Sequence, residues 1–373
     1  MPLPPPARPG QLVAEVDTPA LLLDLDKFER NLDRLNSSIA SHPVRVRPHA
    51  KSHKTPEIAL RQIARGAVGV CCQKVSEAEA MVDGGVQDVL IANEVVGAVK
   101  LARLAQLARR AKIAVCVDDV ANLRDLEAAA ATAQVQLNVL VEVNVGAHRC
   151  GVEPGAPVLK LAQAIAASKH LRFDGLHAYH GAAQHVRAHA DRVRAISAAV
   201  ADLRTTLALL EKNALRPEII TGAGTGTYLC EAASQLYNEI QPGSYIFMDA
   251  DYARNLDTTG QPVSEFEQSL FILTTVMSHA TPERAVVDAG LKAHSVDSGM
   301  PLVVGLPGVE YLKASDEHGV LQLNGTTPLR IGDKIRLVPG HCDPTVNLYD
   351  WMVGMRDDRV ESVWPISARG AFY

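Results

Sequence analysis

Through the first two-thirds of the chain, short apolar runs alternate with longer stretches rich in Ala, Leu, Arg and Glu. The runs at 44–47, 67–72, 88–92, 113–117, 136–143, 171–179, 218–221 and 237–241 read as strands. They are β-branched and nearly continuous in apolar character, the pattern of strands covered on both faces. Between them, 56–65, 76–83, 95–111, 120–133, 158–167, 188–213 and 227–234 read as helices, with compositions of high helix propensity. Ahead of these lie a short apolar strand at 18–25 and a helix at 26–40, with Phe28, Leu32, Leu35 and Ile39 at helical spacing and Asp26 as its expected N-cap. Alternation of this kind predicts an α/β fold, a (β/α)8 TIM-like barrel of parallel strands. A doubly wound open sheet is the alternative, but no Gly-x-Gly-x-x-Gly opens the first helix.

Beyond residue 262 the pattern changes. Strand-like runs at 270–277, 285–287, 302–304, 309–313, 321–323, 334–337 and 359–364 follow one another with Gly, Pro and Asp between them and no long helical stretch. The expected organisation is an arm and strand over 1–25 packing with the β domain, a barrel over 26–261, and a C-terminal all-β domain over 262–373.

Composition narrows the function. Of the 373 residues, 47% are hydrophobic and 21% charged, enough for large cores, and the formal net charge of −5 argues against nucleic acid or an acidic membrane as partner. No apolar run approaches the length of a membrane span. The N-terminal MPLPPPARPG reads as a proline-rich arm. The six cysteines show no Cys-x-x-Cys pair and are expected as reduced thiols of a cytoplasmic protein.

In a parallel barrel, chemistry belongs at the C-terminal ends of the strands. There the sequence places Lys51 and His53, Gln73, Asn93 and Glu94, Asp118, Glu142, Asn144 and Arg149, His177, Tyr179, His180 and His185, the run Gly222–Thr227, and Gly243, Ser244 and Tyr245. Glycine lets backbone approach a ligand, and N–H groups at a helix start favour an anion, so Gly224, Thr225, Gly226, Gly243 and Ser244 read as a phosphate cradle. A lysine after one strand with a phosphate site behind the last two points to pyridoxal 5'-phosphate. Arg47, His53 and Lys54 are expected to depress the pKa of Lys51, with Lys54 as competing nucleophile. Far downstream, His341-Cys342-Asp343 follows a strand; if extended, it points His341 and Asp343 the same way, and that donor pair suits Mn²⁺, Mg²⁺ or Co²⁺.

RPHAKSHKTPEIALRQ (47–62), AYHGAAQH (178–185), GAGTGTY (222–228), NEIQPGSYIFMDADY (238–252) and RLVPGHCDPTVNLYDW (336–351) complete the picture. With these segments the chain resembles, nearly end to end, the D-threonine aldolases, fold-type III pyridoxal-phosphate enzymes related to alanine racemase and close to 3-hydroxy-D-aspartate aldolases. The resemblance implies cleavage of D-β-hydroxy-α-amino acids to glycine and an aldehyde. Lys51 matches the Schiff-base lysine, His341 and Asp343 the metal ligands, and His185 the proposed base. Tyr179 and Arg149 match cofactor-site residues, and Gln241 falls where alanine racemase has an arginine facing the pyridine nitrogen. A homodimer is implied by analogy. A 3-hydroxy-D-aspartate aldolase, a D-serine or 3-hydroxyaspartate dehydratase, and a non-catalytic pyridoxal-phosphate-binding protein are the alternatives. The dehydratases have cysteine at the position of Asp343.

Overall fold

The computed structural model describes residues 4–324 and 329–373. Its strands are β1 (Ala20–Asp24), β2 (Arg45–Val46), β3 (Val70–Cys72), β4 (Asp88–Glu94), β5 (Lys112–Val117), β6 (Leu137–Glu142), β7 (Leu171–Ala178), β8 (Ile219–Gly222) and β9 (Glu239–Ile240), followed by β10 (Leu270–Thr281), β11 (Arg284–Val287), β12 (Leu302–Val303), β13 (Val309–Ala314), β14 (Gly319–Leu323), β15 (Lys334–Val338), β16 (Trp351–Arg356) and β17 (Arg359–Pro365). The helices are α1 (Leu25–Ile39), α2 (Pro56–Ala64), α3 (Val75–Asp83), α4 (Ala98–Leu107), α5 (Val120–Ala133), α6 (Ala156–Ala166), α7 (His189–Lys212), α8 (Tyr228–Ala233) and α9 (Cys342–Val346).

Strands β2 to β9 form a parallel sheet in the order β2-β9-β8-β7-β6-β5-β4-β3. Its two outer strands meet: Val68 N donates to Val46 O, Cys71 N donates to Pro48 O, and a bridge joins His49 to Cys71. The sheet is therefore a closed eight-stranded barrel, as the alternation predicts. Alternate strand residues serve opposite faces. Val89 and Ile91 of β4 pack outward with the helices, while Leu90 and Ala92 join Cys71, Ala114, Cys116, Leu140 and Ile219 in the barrel interior. At the opposite end from the strand termini, Arg47 is buried between Asp88 and Glu239, at 2.6 and 2.9 Å. It plugs the barrel floor and takes no part at the mouth.

The second sheet has nine strands, in the order β13-β14-β11-β10-β1-β16-β17 with β15 on β10 and β12 on β15. Strand β1 lies between β10, antiparallel, and β16, parallel. It leads directly into α1, whose N-cap is Asp24, accepting from Lys27 N, and not the expected Asp26. Sequence reading also passed over β16, where Gly354 interrupts a short apolar run, and α9.

Candidate active site

After β2, His49 caps a turn over Ala50–Ser52 that delivers Lys51 to the barrel mouth. Helix α9 of the β domain packs on this turn. There Lys51 Nζ donates to Asp343 Oδ2 at 2.6 Å, across 292 residues of sequence. The mouth holds a cavity of about 250 Å³. Among the residues singled out in the sequence, Lys51, Gln73, Arg149, Tyr179, Gly224, Thr225, Gln241, Gly243 and Ser244 line it. His49, Ser52, His177 and Tyr252 also line it without having been assigned a role there.

Two expected cofactor contacts lie elsewhere. Gly226 donates its N–H to Gln184 Oε1 at 3.0 Å and faces a separate cavity of about 390 Å³ behind the loop. Tyr245 is buried, its hydroxyl accepting from Gln62 Nε2 at 3.2 Å and its ring set edge-on to Phe266.

The cavity suits a phosphorylated pyridine. Among the described residues, the backbone N–H groups of Gly224, Thr225, Gly243 and Ser244 donate to no protein acceptor. Ser52 Oγ is buried beside them and unpartnered. Gly243 must be glycine here, since a Cβ would stand 2.5 Å from Ser52 Oγ and 3.1 Å from His49 O. Unspent donors around a concave wall are an anion site. Deeper in, Glu142 pairs with His177 Nδ1. Burial pulls the His177 pKa down, but the Glu142 carboxylate outweighs it and the net direction is up. The ring meets Gln241 Oε1 through its Nε2 at 3.1 Å, and Gln241 Nε2 donates to Thr221 Oγ1 at 2.8 Å. Arg149 lies over the Tyr179 ring at 5.6 Å.

The electrostatics of Lys51 differ from the expectation. Arg47 is on the floor, Lys54 pairs with Glu77 at 3.4 Å, and buried His53 is held neutral, its pKa near 3. Burial pulls the lysine pKa down, but Asp343 opposes it and the net direction is up. Burial likewise raises Asp343, and Lys51 and then His341 outweigh it, bringing the acid down to about 2.

His341 is extended, and the helix begins at the next residue, so the extended-strand argument for pairing it with Asp343 does not describe this loop. The two groups are nonetheless electrostatic neighbours. His341 Nδ1 is bonded to Asp297 Oδ2 at 2.8 Å, which leaves its other nitrogen free, and Asp343 Oδ1 is buried without a partner. A fixed imidazole beside an orphaned carboxylate oxygen fits a divalent ion. His185 lies within the field of both Lys51 and His341. Its Nδ1 meets Asp251 Oδ2 at 2.6 Å and its ring packs on Tyr252 at 4.7 Å. Burial lowers its pKa more than Asp251 raises it, so the imidazole is neutral near pH 7. Asp249, Asp251 and Asp297 were not singled out as partners; the first two sit in the segment 238–252, but nothing local in the sequence says what they face.

A model of the alanine racemase N-terminal domain matches residues 23–251, and one of a putative serine dehydratase domain matches 269–355. The chain is 50% identical to a 3-hydroxy-D-aspartate aldolase of Paracoccus denitrificans, covering 99% of this chain and 96% of the relative. It is also 50% identical to a D-threonine aldolase of an Arthrobacter species, covering 99% and 97%. This chain belongs to the D-threonine aldolase family of fold-type III pyridoxal-phosphate enzymes. The crystal structure of a D-threonine aldolase from Filomicrobium marinum superposes on this family member with a TM-score of 0.95 at 51% identity, over 99% of this chain and 100% of that one. An alanine racemase of Clostridium difficile, at 10% identity and a TM-score of 0.75 over 94% and 99% of the two chains, shares the fold.

Proposed function

We propose that this protein cleaves D-threonine and related D-β-hydroxy-α-amino acids to glycine and an aldehyde, using pyridoxal phosphate and a divalent metal ion. It is a lyase of the aldolase type. The observation that carries the reading is the meeting of Lys51, from the barrel, with Asp343, from the β domain, over a cavity rimmed by unspent N–H donors.

Gly224, Thr225, Gly243 and Ser244 would hold the cofactor phosphate, with Lys51 placed for its carbonyl carbon. When bound, the cofactor supplies an electron sink for the pair left on the substrate α-carbon. His341 and Asp343 would hold the divalent ion, which supplies Lewis acidity at the substrate hydroxyl. His185 gives its Nδ1–H to Asp251, so its Nε2 lone pair is free to take the hydroxyl proton as the carbon–carbon bond breaks. Arg149 is exposed at the mouth with no acidic partner among the described residues and is available to an anionic group of the substrate. Asp343, in place of the cysteine of the dehydratases, favours cleavage over loss of the hydroxyl.

Finer assignments belong to the same proposal: Mn²⁺ as the ion, with Mg²⁺ or Co²⁺ as substitutes; a homodimer; a reducing, cytoplasmic setting, supported by six free cysteines; and a barrel over 26–261 with the metal-bearing β domain over 262–373. Relatives acting on D-threonine and on 3-hydroxy-D-aspartate are equally similar, so both substrates enter the test. Purified protein is incubated with pyridoxal phosphate, Mn²⁺ and each substrate. Glycine plus acetaldehyde from D-threonine, abolished by a chelator, is the expected result. Glycine from D-3-hydroxyaspartate alone would move the substrate. Ammonia and a 2-oxo acid would overturn the aldolase reading.

A further inference from the structure

Gln184 is completely buried, yet every polar atom of its amide is engaged. Its Oε1 accepts the Gly226 N–H at 3.0 Å, and its Nε2 donates to Thr227 Oγ1 at 2.8 Å and to His180 O at 3.2 Å. The phosphate loop is shaped around it. A Cβ on Gly224 would stand 2.5 Å from Gln184 Oε1, and one on Gly226 would run into the Gln184 carbonyl. That carbonyl accepts from Asn255 Nδ2 at 2.8 Å, and Asn255 Oδ1 accepts from Arg187 Nη1 at 2.9 Å. Arg187 donates to the Asp251 backbone at 2.8 Å and to its Oδ1, and the other oxygen of Asp251 holds His185. Arg192, also buried, donates to Val186 O and Arg187 O at 2.8 Å, pinning the chain just beyond the histidine. The path from cradle to base is continuous and satisfied at each step, and a buried amide left unbonded would be unfavourable.

We propose that Gln184 and Asn255 are positioning residues that make filling the phosphate cradle and fixing His185 a single event. This rests on the reading of His185 as the proton acceptor and goes beyond it: the group that anchors the cofactor's phosphate end also sets the base. The coupling runs along a bonded chain with identifiable links, each of which can be cut separately.

The test uses the full-length protein, wild type and two variants. Gln184→Met keeps volume and removes the amide. Asn255→Asp keeps an acceptor for Arg187 and replaces the donor to Gln184 with a carboxylate oxygen, so it cuts that link and serves if the first fails to fold. Hydrogen exchange is followed by mass spectrometry with and without saturating pyridoxal phosphate, and no metal or substrate is needed. In wild type, the cofactor should slow exchange at least tenfold both at 223–228 and at 184–188. In the variants, protection at 223–228 should survive at saturation and protection at 184–188 should fall at least tenfold. At saturating cofactor, Mn²⁺ and D-threonine, kcat should drop at least tenfold with KM unchanged. Equal protection of 184–188 in wild type and variants, or none in wild type, overturns the proposal. So does a variant that binds cofactor weakly but shows wild-type kcat once saturated, because its role then ends at the cradle. Failure of the aldolase reading would show separately, as wild-type protein that releases no glycine while the exchange pattern holds.

Discussion

Behind the phosphate loop, Glu231 is buried with one oxygen accepting from Thr227 Oγ1 at 2.8 Å and the other unpartnered. Among the described residues no cation faces it, and burial raises its pKa to about 8, outweighing the opposing pull of the Thr227 hydroxyl. The native state therefore holds a proton that the unfolded chain gives up near the ordinary value of 4.5. A group raised on folding contributes stability that is full below its unfolded pKa and is lost as pH rises through its folded pKa. The window is pH 4.5 to 8. At about 1.4 kcal/mol per unit, the loss across it is roughly 3–5 kcal/mol. Glu231→Gln keeps the acceptor for Thr227 and cannot ionise, so it mimics the protonated acid. The variant should match wild type at pH 5 and be the more stable at pH 8, by roughly 4–6 °C in unfolding midpoint for a chain of this size. Thermal unfolding of metal-free, cofactor-free protein at half-unit pH steps measures it. A difference between the two proteins that does not grow from pH 5 to pH 8 would refute the reasoning, because it would mean that the carboxyl finds a counter-charge or water.

Three further outcomes follow from the site. Asp251→Asn removes the carboxylate that orients His185; kcat should fall about a hundredfold, within the range of a positioned base, while pyridoxal-phosphate affinity stays within threefold, and an unchanged kcat would remove the orienting role. Gly226→Ala drives a methyl into the Gln184 carbonyl and should weaken cofactor affinity at least tenfold in an absorbance titration. Asp343→Asn should retain the yellow cofactor chromophore yet lose metal-stimulated cleavage, and full activity in that variant would take the metal away from this residue.

The barrel was legible because its strands are buried on both faces and so appear as bounded apolar runs, and because βα alternation admits few topologies. The strand partners of β1 were not legible. They lie in β10 and β16, some 250 and 330 residues away in register, and nothing in a five-residue apolar run names its neighbour. The same division holds at the site. Lys51, the Gly222–Thr227 loop and Gly243-Ser244 could be read from the sequence because strand ends and glycines are local signals. Their charge environment could not. Three cationic residues and two histidines in a row of eight look like a field that would discharge a lysine, but folding gives Arg47 to the floor and Lys54 to Glu77, and leaves Lys51 facing Asp343. Tyr245 sits one residue beyond the cradle, and its ring enters the core because the short helical turn over Ser244–Ile246 rotates it away.

The Lys51–Asp343 contact also says how the two ligands must relate. In the structure each group is the other's partner. A divalent ion held by Asp343 would engage the lysine's counter-charge, leaving the Lys51 amine available to the cofactor. A cofactor held at Lys51 would in turn leave the Asp343 carboxylate available to the ion. Each ligand thus removes a competitor of the other, so their affinities must be coupled, and by the same factor in both directions. Coupling free energies between two sites are typically about 1–3 kcal/mol, roughly five- to 150-fold. Titrating pyridoxal phosphate with and without saturating Mn²⁺, and Mn²⁺ with and without saturating pyridoxal phosphate, should give equal ratios above five in wild type. In Lys51→Ala, where neither ligand has an ion pair to break, Mn²⁺ affinity should rise and lose its dependence on the cofactor. Ratios near one in wild type would mean that the two domains bring their groups together without making either depend on the other.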